Sequence, residues 1–262
     1  MPAFALSKWY ADCVDDQGAA AIVYHAELRW RAASLHYSSL LTRRPGHPAQ
    51  VRYSLRKRPS PAMDGEHLKW NSTDWNAEGC WRELGASHRE VLFKSDSGSL
   101  DWHCIAPRAA AKVQIGKEPA IEGWGYAEHL HLTVAPWQLP IRRLRWGRFV
   151  NSTDALTWID WSGTYSRRVV YFNGSAMGGA EITDSDVTLT EDRATLSLDR
   201  GIVLRDGKLG STALAMIPNL ARLFPDSILN IRECKWLSRA VLSRPGQPDS
   251  VGMAIHEVVE WP

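Results

Sequence analysis

Apolar and polar residues alternate along most of this chain, and Gly, Pro, Asn, Asp and Ser interrupt the alternation at intervals. A period of two belongs to strands with one buried face, and the interruptions belong to turns. In the first half the pattern predicts strands over Lys8–Val14, Ala20–Trp30, Leu35–Thr42, Gln50–Lys57, Cys80–Glu83, Glu90–Lys94, Ser99–Ile105 and Lys112–Ile115. In the second half it predicts Gly125–Val134, Leu144–Val150, Ala155–Trp161, Arg168–Phe172, Ala180–Leu189, Ala194–Asp199, Leu237–Ser243 and Gly252–Glu260. One region departs from this: "STALAMIPNLARLFPDSILN" has apolar residues at helical spacing, Ser211 and Thr212 as N-caps, and Pro218 and Pro225 as interruptions. It predicts one or two short helices among the strands.

The expected fold is therefore all-β and mainly antiparallel. Arg56–Glu66, polar and Pro-rich, reads as an exposed loop, and "GKEPAIEG" at Gly116–Gly123 divides the chain near its middle. Two fused β-barrel or half-barrel domains follow, residues 1–120 and 121–262, with the pocket at or near their junction and mainly in the second. No exact internal repeat, heptad run or low-complexity tract is visible.

Composition narrows the function. Lys and Arg number 31 against 29 Asp and Glu, a net charge of +2, which supplies no field for nucleic acid. No run approaches the ~18 apolar residues of a membrane span, and "MPAFALSKWYADC" lacks the basic and apolar regions of a secretory leader. A soluble, cytoplasmic protein is expected. Cys13, Cys80, Cys104 and Cys234 form no CxxC pair and read as reduced thiols. Tryptophan is the outlier, with 13 residues in 262. So much indole area implies a large core or a cavity walled by aromatics.

The chemistry-bearing residues concentrate in two stretches. In "GWGYAEHLHLT" a strand places Trp124, Tyr126 and Glu128 on one face and His129 and His131 on the other. Two histidines at i and i+2 can share a metal, with His103 or His256 as a third ligand, but no HExxH or Cys/His cluster supports that, and no resident metal is expected. In "LRWGRFVNSTDALTWIDWSG" two strands flank the turn Asn151–Asp154, and Trp158 and Asp160 share a face. An aspartate among indoles can be kept protonated and donate a proton. Asp160 can equally pair with Arg142, Arg143, Arg145 or Arg148. GxSxG, GxGxxG and GxxxxGK[ST] are absent, so neither an elbow serine nor a nucleotide cofactor is expected.

The succession "KWYADCVDDQG", "SGSLDWHC", "GYAEHLH", "RWGRFV", "LTWID", "RECKWLSRAVL" and "IHEVVEW" resembles the bacterial carotenoid 1,2-hydratases (hydroxyneurosporene synthases) and their lipocalin-like relatives, with tocopherol cyclase more distant. Gly125, Tyr126 and His129 match the middle block of that family, Trp146, Gly147 and Arg148 match its Trp-Gly-Arg, and Asp160 matches its aspartate. Glu128 stands for an aspartate, Trp158 for a tyrosine, His131 for a tryptophan and Ala127 for a histidine. The resemblance implies a cofactor-independent hydratase or cyclase that protonates a C=C bond of a terpenoid or polyene and lets water or an internal nucleophile capture the carbocation. It implies Asp160 as acid and His129 as proton relay or water-orienting base, with His129 and His131 lining the pocket and Glu128, the third residue of the catalytic set, pointing away or closing a hydrogen-bond network. Tyr126, His131, Trp146, Arg148, Trp158, Trp102 and Trp124 would then shape the substrate site. The implied partner is a hydrophobic small molecule, taken up by contact with a membrane surface. A non-catalytic carrier of an apolar ligand and a pericyclase that only positions a polyene are the alternatives.

Overall fold

Period-two alternation becomes the pleat of two antiparallel sheets in the computed structural model, which describes residues 4–31, 33–212 and 224–262. The first unit, Met1–Ala135, holds β1 (Phe4–Val14), β2 (Ala20–Trp30), β3 (Ala33–Arg43), β4 (Gln50–Ser54) and β5 (Ala62–Asp64), then β6 (His67–Ser72), β7 (Ala77–Glu83), β8 (His88–Ser95), β9 (Gly98–Ile115) and β10 (Ile121–Leu132). The second, Pro136–Pro262, holds β11 (Ile141–Val150), β12 (Ala155–Gly163), β13 (Arg167–Phe172), β14 (Ser175–Ala176) and β15 (Ala180–Ile182), then β16 (Asp186–Leu189), β17 (Ala194–Leu198), β18 (Ile202–Lys208), β19 (Arg232–Ser243) and β20 (Ser250–Glu260).

The strand orders are β4-β3-β2-β1-β10-β9-β7-β6-β5, with β8 also on β9, and β14-β13-β12-β11-β20-β19-β17-β16-β15, with β18 also on β19. The second sheet thus repeats the first strand for strand, a duplication that the side chains conceal. The result is an all-β, two-domain lipocalin-like architecture. Each unit has its own core. In the first, Ala11, Val23, Leu40, Trp81, Ala106 and Ala127 pack together; in the second, Phe149, Leu156, Trp158, Leu196, Leu242 and Ala254 do.

Several expectations change. The first unit ends at Ala135 rather than residue 120, because β10 pairs with both β1 and β9 and completes the first sheet. Ser99–Ile105 and Lys112–Ile115 are one long strand, β9, whose two ends pair with different neighbours: β8 along Gly98–Cys104 and β7 along Ala109–Ile115. Pro107 sits where the β9 register on β10 shifts, a place that requires no ladder N–H. Arg56–Glu66 contains the edge strand β5, and Ala180–Leu189 splits at a turn in which Thr183 N–H donates to Asp186 O. β6 and β18 are additional strands. The predicted helical stretch lies largely outside the described residues; its ends contribute a short 3-10 turn at Leu209–Ser211 and a single helical turn, α1, at Asp226–Leu229.

Candidate active site

Strand β10 runs between β1 and β9, and its pleat separates two chemically different faces. On one face lies a buried hydrogen-bonded hub. Glu128 is 4% exposed, and its Oε2 accepts from the Tyr126 hydroxyl at 2.6 Å and from Trp102 Nε1 at 2.7 Å. Burial pushes the Tyr126 phenol and the neighbouring Cys104 thiol well up, so both stay protonated: Tyr126 as donor, Cys104 as an inert thiol. Tyr10 lies edge-on to Tyr24 at 5.1 Å and to Tyr126 at 6.0 Å, and its hydroxyl donates to Asp12 at 2.9 Å.

Two local features place this hub. The β10 register on β9 shifts on either side of Ala127, next to Tyr126 and Glu128. Gly125 admits close backbone contact, since a Cβ there would meet Asp12 O at 2.3 Å and Ala111 Cβ at 2.6 Å. Beneath it Trp81 Nε1 donates to Asp12 O at 2.5 Å.

The opposite face of β10 contributes His129 and His131 to a groove of about 440 Å³ whose lining is completed by Arg89, Glu90 and Val91 of β8 and Asp101, Trp102 and His103 of β9. His129 lies directly across from His103, and His131 from Asp101. His129 Nε2 is 2.8 Å from Ser7 Oγ, and its ring tilts on Trp9 at 4.5 Å. Desolvation, then the charges of His131, His103 and Arg89, lower His129 to about 4; desolvation followed by Arg89 also lowers His103. These two rings are neutral at neutral pH, and His129 meets Ser7 as an uncharged imidazole. Among the described residues no three His, Cys, Asp or Glu side chains gather so as to hold a metal ion.

The remaining candidates belong to the second unit. Asp160 is buried and accepts from Arg168 Nε at 2.9 Å and Arg145 Nη1 at 3.4 Å, while Arg145 also reaches Asp184 at 2.7 Å. The arginine pairing left open by the sequence is the one formed, with Arg168 as an unforeseen second partner. Both carboxyl oxygens of Asp160 are thus engaged by guanidiniums. Trp158 packs in the core over Gly147, where a Cβ would come within 2.2 Å of its ring. Trp146 and Arg148 alternate to the other face of the sheet, so the pleat separates them from Trp158 and Asp160. Arg148 is fully buried and donates to Met253 O at 2.8 Å; Trp146 carries the Lys235 ammonium 5.1 Å from its ring centre. His256 is bound to Ser238 Oγ at 2.9 Å and stacked on Trp236, and belongs to this second unit, whereas the histidine pair of β10 belongs to the first.

Sequence reasoning passed over Ser7, Trp9, Tyr10, Asp12, Arg89 and Asp101. Their signal is the cross-strand register, which brings β1 and β8 beside β9 and β10.

No protein-family model matches the chain, and no curated protein sequence does. Among solved structures the fold is similar to that of CghA, with a TM-score of 0.63 at 11% identity over 99% of this chain and 88% of that one. The structure of CghA with Sch210972 gives 0.59 at 10% identity over 99% and 89%. Kievitone hydratase from Nectria haematococca gives 0.54 at 9% identity over 97% and 88%. At these identities the likeness establishes the fold, and chemistry must be argued from the site.

Proposed function

We propose that the protein is a cofactor-independent enzyme of the hydratase or cyclase type, acting on an unsaturated, largely apolar molecule such as a terpenoid or polyene, with Glu128 as its proton-transferring carboxyl. One observation carries this reading: a buried carboxyl held by two fixed donors, Tyr126 and Trp102, within a group of tyrosine rings. Delivering a proton to a C=C bond leaves a carboxylate behind and a carbocation in front. Donors already aimed at Oε2 stabilise that carboxylate without reorganisation, and aromatic faces stabilise the cation. In hydration the same carboxylate then takes the proton of the capturing water; in cyclisation it takes the proton lost by the product cation. Asp160 has the weaker claim to this role, since its oxygens are engaged by two arginines. The fold shared with a protein named as a hydratase supports the class.

The test is turnover of a panel of terpenoid and polyene alkenes in D₂O. An enzyme of this type places a solvent deuteron on carbon. Glu128→Gln should cut that incorporation by about 10² or more while ligand binding persists, and Asp160→Asn should not. Undiminished incorporation in Glu128→Gln removes Glu128 from the mechanism. Binding without incorporation in the wild type favours the carrier or pericyclase reading.

A further inference from the structure

We propose that the groove on the first unit binds a ligand bearing a planar oxyanion, a carboxylate or enolate, joined to an apolar body. A cross-strand row runs Arg89, His103, His129, Trp9 over β8, β9, β10 and β1. Arg89 is exposed at the end of this row, and among the described residues no acidic side chain pairs with it. Its guanidinium presents parallel N–H groups that match a planar oxyanion, and His103 beside it supplies a further hydrogen-bonding edge. Apolar surface lies next to these donors: Val91, two positions along β8, is 51% exposed, and Trp9 carries the His129 ring.

The acids nearby do not occupy this guanidinium. Glu90 sits across from Trp102, and both line the groove, but Glu90 forms no ion pair with Arg89; Asp101 lies in the next row, accepting from Ser99 Oγ at 2.7 Å. A pure hydrocarbon would strip water from one guanidinium, two carboxylates and three imidazoles and return no hydrogen bond, which is costly. An amphipathic acid satisfies the guanidinium and covers Val91 together. His129 and His131 reach the groove from the face of β10 opposite Glu128, and Trp102, which donates to Glu128, forms part of its lining; the ligand inference rests on Arg89 and not on the proposed proton transfer.

The probes are all-trans-retinoate and retinol, which share an apolar body and differ in the carboxylate, titrated against the full chain by tryptophan fluorescence quenching. Retinoate should bind about tenfold or more tighter than retinol, the fold-change of one charge-assisted hydrogen bond. Arg89→Ala should erase that preference by weakening retinoate alone, Arg89→Lys should keep part of it, and rising salt should reduce it. Arg89 is exposed, so these variants should fold normally. Equal affinity for the two probes, a preference that survives Arg89→Ala, or no retinoate binding at all would overturn the proposal. Arg89-dependent binding in a protein that deuterates no alkene would leave the groove standing and remove the proton-transfer reading.

Discussion

The two units share one strand order and differ at the positions where that order makes them equivalent. Val14 pairs with Ala20 on β2 and Trp124 on β10, just as Val150 pairs with Ala155 on β12 and Met253 on β20. Counting back from these anchors, Trp9 and His25 in the first unit correspond to Arg145 and Asp160 in the second, and Ser38 corresponds to Arg168. One unit fills this row with an aromatic ring and an uncharged His25–Ser38 pair at 3.0 Å; the other fills it with a carboxylate between guanidiniums. On the opposite face Glu128 and Glu257 correspond. Glu128 is held by a phenol and an indole, whereas Glu257 is bound to the buried Lys235 ammonium. A scaffold that tolerates either solution dictates where a polar side chain sits and leaves its chemistry to the local partners.

The glutamates offer the sharpest way to break this comparison. Glu257→Gln strips Lys235, 1% exposed, of its nearest carboxylate and leaves Glu233 at 3.8 Å, so it should cost about 3 kcal/mol in urea unfolding. Glu128→Gln should cost clearly less stability while removing activity. Equal losses from the two variants would mean that the equivalent carboxylates do the same work.

Next in size is the close approach at Gly147. A Cβ there meets the Trp158 ring at 2.2 Å and the His256 Cβ at 2.8 Å, so Gly147→Ala should destabilise by about 2 kcal/mol, seen as a lowered urea midpoint. In the first unit the position equivalent to Gly147 is already Ala11, which shows that the constraint comes from Trp158 rather than from the sheet. An unchanged midpoint would show that the indole can move aside.

Acid should separate the units in the opposite sense. His88 and His129 of the first unit are lowered to about 4, and His256 of the second to about 3, chiefly by burial. The unfolded chain, with histidines near 6.5, therefore binds more protons, and stability falls as pH drops from about 6.5 towards these folded values. His25 and His103 are also lowered and lie in the first unit, so its amides should lose hydrogen-exchange protection first between pH 6.5 and 4.5. Earlier loss in the second unit would contradict this. The smallest effect is expected at the exposed Lys69–Asp64 pair, where Lys69→Ala should leave the melting temperature unchanged within error.

Much of the fold was legible because a strand's period of two is a local property. Most strand positions, the turn at Asn151–Asp154 and the division of Glu128 from His129 follow from it without knowledge of any partner. The same rule applied across "RWGRF" and "LTWID" separates Trp146 and Arg148 from Trp158 and Asp160, but only once the hairpin register is known. Proline and an alanine run concealed the continuity of β9, because strand propensity is weak there although pairing to two neighbours sustains the strand.

By itself the sequence determined the all-β class, the faces of individual strands and the residue types able to move protons. Tertiary structure alone decided that β10 closes the first sheet, that Asp160 lies between Arg145 and Arg168, that Ser7 meets His129 across 122 residues, and that two dissimilar halves share one order. The reason is that alternation encodes which way a side chain points, while the identity of what it meets depends on register between strands far apart in the chain.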